Sequence, residues 1–233
     1  MFITFEGPEG AGKSTQVELL RAALLDRQPV VTREPGGTAL GEVVRDLLLH
    51  SDLGMTPEAE MLLFMAARAE LVGRVIDPAL AEGRIVIADR YHDSTLAYQG
   101  GARGVSTWWP ASFPRPDRTF LLELAPEVGL ERLGRSGRAV DRLESEDLAF
   151  HRAVSFAYGQ LAEAEPARFV RLDATRPPEE IHGAVMATLS GLLAGVASKL
   201  SPATSGEYPA KPEEGGRAKQ ASRGPRGRGT VHR

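Results

Sequence analysis

The chain has 233 residues, 42% of them hydrophobic, which suffices for one full α/β core with a small mobile insert and leaves no room for a second large domain. It contains no cysteine, which excludes a disulfide framework and thiolate metal sites and points to a reducing setting. No apolar run approaches about eighteen residues and no basic-then-apolar leader pattern opens the chain, so neither membrane spanning nor secretion is expected and a cytoplasmic location is.

In chain order, Phe2 to Phe5 reads as a first strand and runs directly into Gly7-Pro8-Glu9-Gly10-Ala11-Gly12-Lys13-Ser14, followed by Thr15. The stretch fits the phosphate-loop spacing GxxxxGK(S/T). Its glycines let the backbone curl so that successive N–H groups face phosphate oxygens, Lys13 reaches the β- and γ-phosphates, and Ser14 ligates Mg²⁺. Val17, Leu20 and Leu24 then give the stripe of a buried helix face.

Further strands are expected at Pro29 to Thr32, Arg84 to Ala88, Thr119 to Leu124 and Phe169 to Leu172, with helical patterns between them. That alternation predicts a parallel five-stranded sheet covered by helices on both faces. The clearest helix start is Thr56-Pro57-Glu58, a capping hydroxyl with proline at the first helical position and acid in the first turn. This helix is expected to run to about Gly83, with Asp77-Pro78 as a site for a kink. Two more are predicted from Glu144 to Glu165 and from Pro178 to about Lys199.

Ligands of such a sheet sit beyond the carboxyl ends of its strands. Three strand ends carry informative residues here: the phosphate loop, Arg33-Glu34-Pro35-Gly36-Gly37-Thr38, and Asp89-Arg90-Tyr91. GTPases read guanine with Asn-Lys-x-Asp, and this chain has no asparagine. A small kinase acting on a soluble acceptor remains. A triphosphate and a monophosphate bring about six negative charges into one cleft, of which Mg²⁺ and Lys13 offset about three. Arg33 and Arg90 at strand ends, and Arg132, Arg135, Arg138 and Arg142 around the Gly-rich stretch 134–138, are candidates to supply the rest, the last group reading either as a flexible flap or as a solvated helix face. No general base is evident near the cluster, as suits a phosphate acceptor already ionised at neutral pH.

These segments together resemble the bacterial thymidylate kinases, which are P-loop nucleoside monophosphate kinases, over residues 1 to 198. The resemblance rests on residues 5–15, on Thr32-Arg33-Glu34-Pro35-Gly36-Gly37-Thr38, on residues 63–68, on Asp89-Arg90-Tyr91 with residues 94–100, and on Asp141-Arg142-Leu143-Glu144. It implies a P-loop NTPase-type fold with a small lid at about 132–145, transfer of the γ-phosphoryl of Mg·ATP to dTMP, and a homodimer. It further implies that Glu9 approaches the 3′-hydroxyl, that Phe64 stacks on thymine and Arg68 hydrogen-bonds its edge, and that Arg90 holds the acceptor phosphate. Thr95 and Gln99 are implied in base contacts, Glu34 and Arg45 in shaping the pocket, Tyr98 in crowding a 2′-hydroxyl, and Asp89 in positioning Mg²⁺. With no arginine in the phosphate loop, the catalytic arginine is expected in the lid, with Arg135 and Arg138 favoured over Arg142. Asp173-Ala174-Thr175 is expected to border adenine, and Glu34-Pro35 is a candidate cis peptide. The stretch 104–116, with Trp108-Trp109-Pro110, departs from the family by truncating a helix.

Residues 201–233 hold seven Lys or Arg against three Glu, leaving the first 200 residues at −7 within a net charge of −3. With almost no large apolar side chain, the segment 200–233 is expected to be a disordered basic tail beyond a kinase-like domain at 1–199. Its Arg-Gly end keeps open an electrostatic contact with nucleic acid, although a solubilising extension is the preferred reading.

Overall fold

A computed structural model describes residues 1–137 and 139–197; Arg138, Lys199 and the basic tail lie outside the described residues. Five strands, β1 (Phe2–Glu6), β2 (Val30–Arg33), β3 (Val86–Asp89), β4 (Arg118–Glu123) and β5 (Phe169–Asp173), form one sheet in the order β2-β3-β1-β4-β5. Every pairing is parallel. All five expected strands are present, each within two residues of its predicted ends.

Alternation along β1 separates the two faces. Ile3 and Phe5 pack with Val17 and Leu20 of α1 (Lys13–Ala23) and with Val185 and Leu189 of α8 (Pro178–Ala197). Phe2 instead faces Met61, Met65 and Leu71 of α3 (Pro57–Leu71). On the same side, Leu121 and Phe169 meet Val154 and Tyr158 of α7 (Leu148–Ala164). Burial on both faces accounts for the nearly unbroken apolar strands that make the sheet readable. Among the described residues no helix is long and apolar enough to cross a membrane.

Thr56 caps α3 as expected, its hydroxyl accepting from Ala59 N. The long helix predicted to Gly83 is interrupted: α3 ends at Leu71, Val72–Ile76 winds as a wider π turn, and α4 (Asp77–Ala81) carries Pro78 in its first turn. The wide turn accommodates a proline that can neither donate a backbone hydrogen bond nor tolerate the carbonyl four residues back. Helix α7 starts at Leu148, four residues later than predicted. Asp141 Oδ1 accepts from the N–H groups of Leu143 and Glu144, closing a separate turn, and Asp147 caps the helix proper through Phe150 N. No helix forms between Gly104 and Pro116.

Three more helices frame the strand ends: α2 (Ala39–Leu49), the short α5 (His92–Thr95), and α6 (Pro126–Arg135). Directly after α5, Leu96–Ala102 winds as a second π segment, with Arg103 N donating to Tyr98 O five residues back.

Candidate active site

The loop between β1 and α1 takes positive φ at Gly7 (140°), Gly10 (68°) and Gly12 (90°), a backbone path that only glycine follows without strain. It also lies tight against α6. A methyl group on Gly10 would overlap the backbone of Gly129, and one on Gly129 would overlap Glu9 O. Lys13 folds back over the loop, its Nζ donating to Pro8 O at 2.8 Å and Gly7 O at 3.1 Å. Burial, reinforced by nearby Arg90 and opposed by Glu9, Asp89 and Glu6, lowers the Lys13 pKa to about 8. Ser14 Oγ donates to Asp89 Oδ2 at 2.5 Å, so the first turn of α1 meets the end of β3.

Arg90 stands beside the loop with φ 69°, a left-handed conformation rare outside glycine. Its Nη2 donates to Glu9 Oε1 at 2.7 Å, and its Nη1 donates to Gly7 O, Tyr158 Oη and Ser94 Oγ at 3.0, 3.2 and 3.3 Å. The Tyr98 hydroxyl donates to the same Glu9 oxygen at 2.6 Å. Burial alone would raise the Glu9 pKa; Arg90, Lys13 and Tyr98 reverse this and hold it at about 2. Glu9 is thus held by protein donors, and the Tyr98 hydroxyl is fixed by this carboxylate.

Beneath Arg90 is Glu6, the last residue of β1 and wholly buried. It accepts from Tyr91 N and Ser94 Oγ at 2.7 Å and from Tyr158 Oη at 2.8 Å. Burial, then the charge of Asp93, raises its pKa to about 7.

Arg68 is 1% exposed and each of its three nitrogens donates to a protein acceptor. Nε donates to Glu34 Oε2 at 2.6 Å and Nη2 to Tyr91 O at 3.1 Å, with Nη2 also in ion-pair range of Glu34; Nη1 donates to Thr95 Oγ1 at 2.9 Å, His92 Nδ1 at 3.1 Å and Met65 Sδ at 3.6 Å. Burial, opposed by Arg68, raises the Glu34 pKa. Gln99, also buried, donates its amide to Glu60 Oε1 at 2.8 Å, and Arg142 Nη2 takes Glu60 Oε2 at 2.6 Å. Arg45 donates to Pro35 O at 2.8 Å, and the Glu34–Pro35 peptide is cis.

One cleft of about 440 Å³ joins these groups. Gly10, Lys13, Ser14 and Asp89 line it together with Phe64, Arg68, Thr95 and Gln99, and with Glu9, Arg90 and Tyr98. The thymidylate kinase family model matches residues 5–185. The chain is 49% identical over 201 residues to the thymidylate kinase of Thermomicrobium roseum, covering 82% of this chain and 95% of that one. To that of Deinococcus radiodurans it is 48% identical over 199 residues, covering 82% and 96%. The crystal structure of thymidylate kinase from Ehrlichia chaffeensis superposes with a TM-score of 0.64 at 32% identity, covering 81% of this chain and 98% of that one. This chain belongs to the thymidylate kinase family. Its doubly wound five-stranded sheet is the P-loop NTPase-type architecture that its residues predict.

The arginines of the Gly-rich stretch divide differently from the sequence-based expectation. Gly134 and Arg135 continue α6, so this half of the expected flap is helical. Arg135 is exposed, its side chain 77% accessible, and donates to Glu131 one turn back at 2.6 Å. It is Arg132 that reaches the cleft, donating to Ala174 O at 3.0 Å and Gly10 O at 3.4 Å. Arg142 is tied to Glu60 and Leu48 O. Arg138 lies outside the described residues.

Sequence reasoning does not single out Glu6, Glu60, His92 or Tyr158 as contributors to the site. Glu6 carries a signal: it shares the Phe2-Thr4-Glu6 face of β1, so a carboxylate there enters the core and must find donors. Glu60 and His92 sit in ordinary helical sequence with no motif spacing to mark them.

Proposed function

We propose that this chain catalyses ATP + dTMP → ADP + dTDP, in the supply of dTTP, with Mg²⁺ and through the residues of this cleft. The supporting observation is that Arg90 lines the same cleft as Lys13 and Phe64. Among the described residues its Nε and one Nη2 hydrogen are left for a ligand.

The phosphate loop, residues 7–15, holds the ATP phosphates through backbone N–H groups and Lys13. Ser14 and Asp89 bring two hard oxygen donors together, which suits Mg²⁺. Ser14 and Asp89 would hold the ion there; among the described residues no group of three His, Cys, Asp or Glu gathers into a metal cage. Bound there, Mg²⁺ supplies neutralisation of charge on the transferring phosphoryl.

For the acceptor, Arg90 binds the dTMP phosphate and Phe64 stacks on thymine. Thr95 and Gln99 meet the base edge, Glu34 and Arg45 shape the pocket wall, and Tyr98 crowds a 2′-hydroxyl. Arg68 contacts the base by sharing an N–H already given to Thr95 or His92. Glu9 reads the 3′-hydroxyl. The attacking phosphate oxygen is ionised at pH 7, so positioning and charge neutralisation carry the catalysis. Lid residues at about 132–145, with Arg135 and Arg138, add positive charge on closure, alongside Arg132. The assembly is a homodimer located in the cytoplasm.

A coupled ADP-release assay across dTMP, dUMP, dCMP, dGMP and shikimate tests the substrate assignment. Turnover is expected for dTMP above all others, and preference for another acceptor overturns it.

A further inference from the structure

His92 opens α5 behind the acceptor end of the cleft and is 0% exposed. Its Nδ1 lies 3.1 Å from Arg68 Nη1 and its Nε2 2.8 Å from Trp108 O. A guanidinium can only donate and a carbonyl can only accept. The two neighbours therefore dictate one tautomer, with Nδ1 bare toward Arg68 and the proton on Nε2 toward Trp108. Edge-on packing against Trp109 (centroids 4.6 Å apart) and Phe113 (5.9 Å) fixes the ring plane. Burial, then the charge of Arg68, lowers the His92 pKa to about 3, so the ring is neutral whenever the protein is folded near neutral pH.

Arg68 passes this constraint on. With Nη1 shared among His92, Thr95 and the Met65 sulfur, the Thr95 oxygen accepts from Arg68, so the hydroxyl of this cleft-lining residue is oriented by the guanidinium. The Trp108 carbonyl, in a stretch without helix, is thus connected through His92 and Arg68 to a hydroxyl at the base-binding end.

We propose that His92 is a positioning residue for the acceptor base, holding Arg68 and, through it, the Thr95 hydroxyl, and that residues 104–116 tune acceptor affinity by this route. The inference rests on the assignment of Phe64, Arg68 and Thr95 to the acceptor pocket.

The test measures KM for dTMP and for ATP, kcat and the melting temperature of the intact protein in His92→Leu, His92→Asn, His92→Gln and Phe64→Ala. Losing one acceptor to a buried charged donor is expected to raise the dTMP KM about tenfold in His92→Leu, with ATP KM and kcat nearly unchanged. Asn places its Oδ1 near the position of Nδ1 and is expected to restore most of the dTMP affinity. Gln reproduces the Nε2 side and is expected to restore little. If His92→Leu does not fold, the Asn and Gln variants decide the matter by the same contrast. Nitrogen NMR of the histidine rings should show Nδ1 bare and Nε2 protonated. An unchanged dTMP KM, equal shifts in both substrates' KM, or Gln rescuing as well as Asn overturns the proposal. Phe64→Ala separates the two layers: if it too leaves dTMP KM unchanged, the pocket assignment itself fails.

Discussion

Arg90 Nη2 donates to Glu9 Oε1 at 2.7 Å, so the phosphate loop carries its own counter-charge for an arginine that lines the cleft beside it. A phosphate entering the cleft meets a guanidinium already aimed by four oxygens. Its fork geometry matters as much as its charge. Arg90→Lys is therefore expected to behave nearly as Arg90→Ala, because one ammonium cannot serve Gly7 O, Tyr158, Glu9 and a phosphate together. Both variants should raise dTMP KM by roughly a hundredfold, the effect of losing a charge-assisted pair of about 3 kcal/mol. Steady-state kinetics with dTMP varied reads the outcome, and a fully active Lys variant would reject this role.

Lys13→Ala is expected to reduce kcat by at least about a hundredfold while circular dichroism and melting stay near those of the parent chain. In the parent, the Lys13 pKa of about 8 makes the ammonium titrate in an accessible range. Since only the protonated form attracts phosphate, kcat/KM for ATP should fall as pH rises through about 8. A flat profile from pH 7 to pH 9.5 would contradict this.

Glu6 gives the opposite kind of pH dependence, seen in stability. Its folded-state pKa, about 7, lies above the ordinary value of 4.5, so the folded protein retains a proton that the unfolded chain releases. The resulting stabilisation is complete below pH 4.5 and is lost as pH climbs through about 7. Glu6→Gln keeps the carbonyl acceptor and removes the titration. Urea midpoints of parent and variant should therefore diverge between pH 5 and pH 8 in favour of the variant, by roughly 3 kcal/mol at most. Parallel midpoints across that window would count against a protonated Glu6.

Gly129 lies within α6, where replacing glycine with alanine ordinarily stabilises a helix by about 1 kcal/mol. Here the added methyl overlaps Glu9 O. Gly129→Ala is expected to lower stability by about 1–3 kcal/mol and to raise ATP KM by displacing the loop. The sign of the melting shift decides between local propensity and the loop contact.

Arg132 and Arg135, three residues apart on α6, are expected to differ sharply on replacement by alanine. Arg132→Ala removes the side chain that reaches Gly10 O and Ala174 O and should raise ATP KM several-fold. Arg135→Ala measures what the lid contributes through a residue paired with Glu131. A reduced kcat with unchanged KM values would support its proposed role at the transition state, and wild-type kinetics would remove it from the catalytic set.

Sequence patterns convey the sheet and the strand-end cluster because both depend on local chemistry. Ile3 and Phe5 are apolar because two layers of helix cover them, and Lys13 follows Gly12 because a helix must begin where the loop ends. The features that stay hidden depend on contacts distant in the chain. Whether Arg132 or Arg135 faces the cleft depends on how α6 is rotated by its contact at Gly10, which no local spacing encodes. The start of α7 is hard to place because Asp141 and Asp147 are equally good caps, and only the path of the intervening turn assigns one to each. His92 acquires its role from Trp108, Trp109 and Arg68, none of them adjacent to it in a recognisable motif.

The segment Leu96–Ala102 carries Tyr98 and Gln99 on wide turns directly after Thr95, with the Arg103 amide reaching back five residues. Such turns accommodate one residue more than an α-helical path over the same span. Excising a single residue, Gly100 or Gly101, would let ordinary winding return while the residues on either side keep nearly their present directions. The stretch consequently carries a spare residue of length that the fold can give up. Point changes there adjust individual side-chain contacts, whereas loss of one residue is absorbed in the winding and leaves Arg103 beside Glu60 and the sheet untouched.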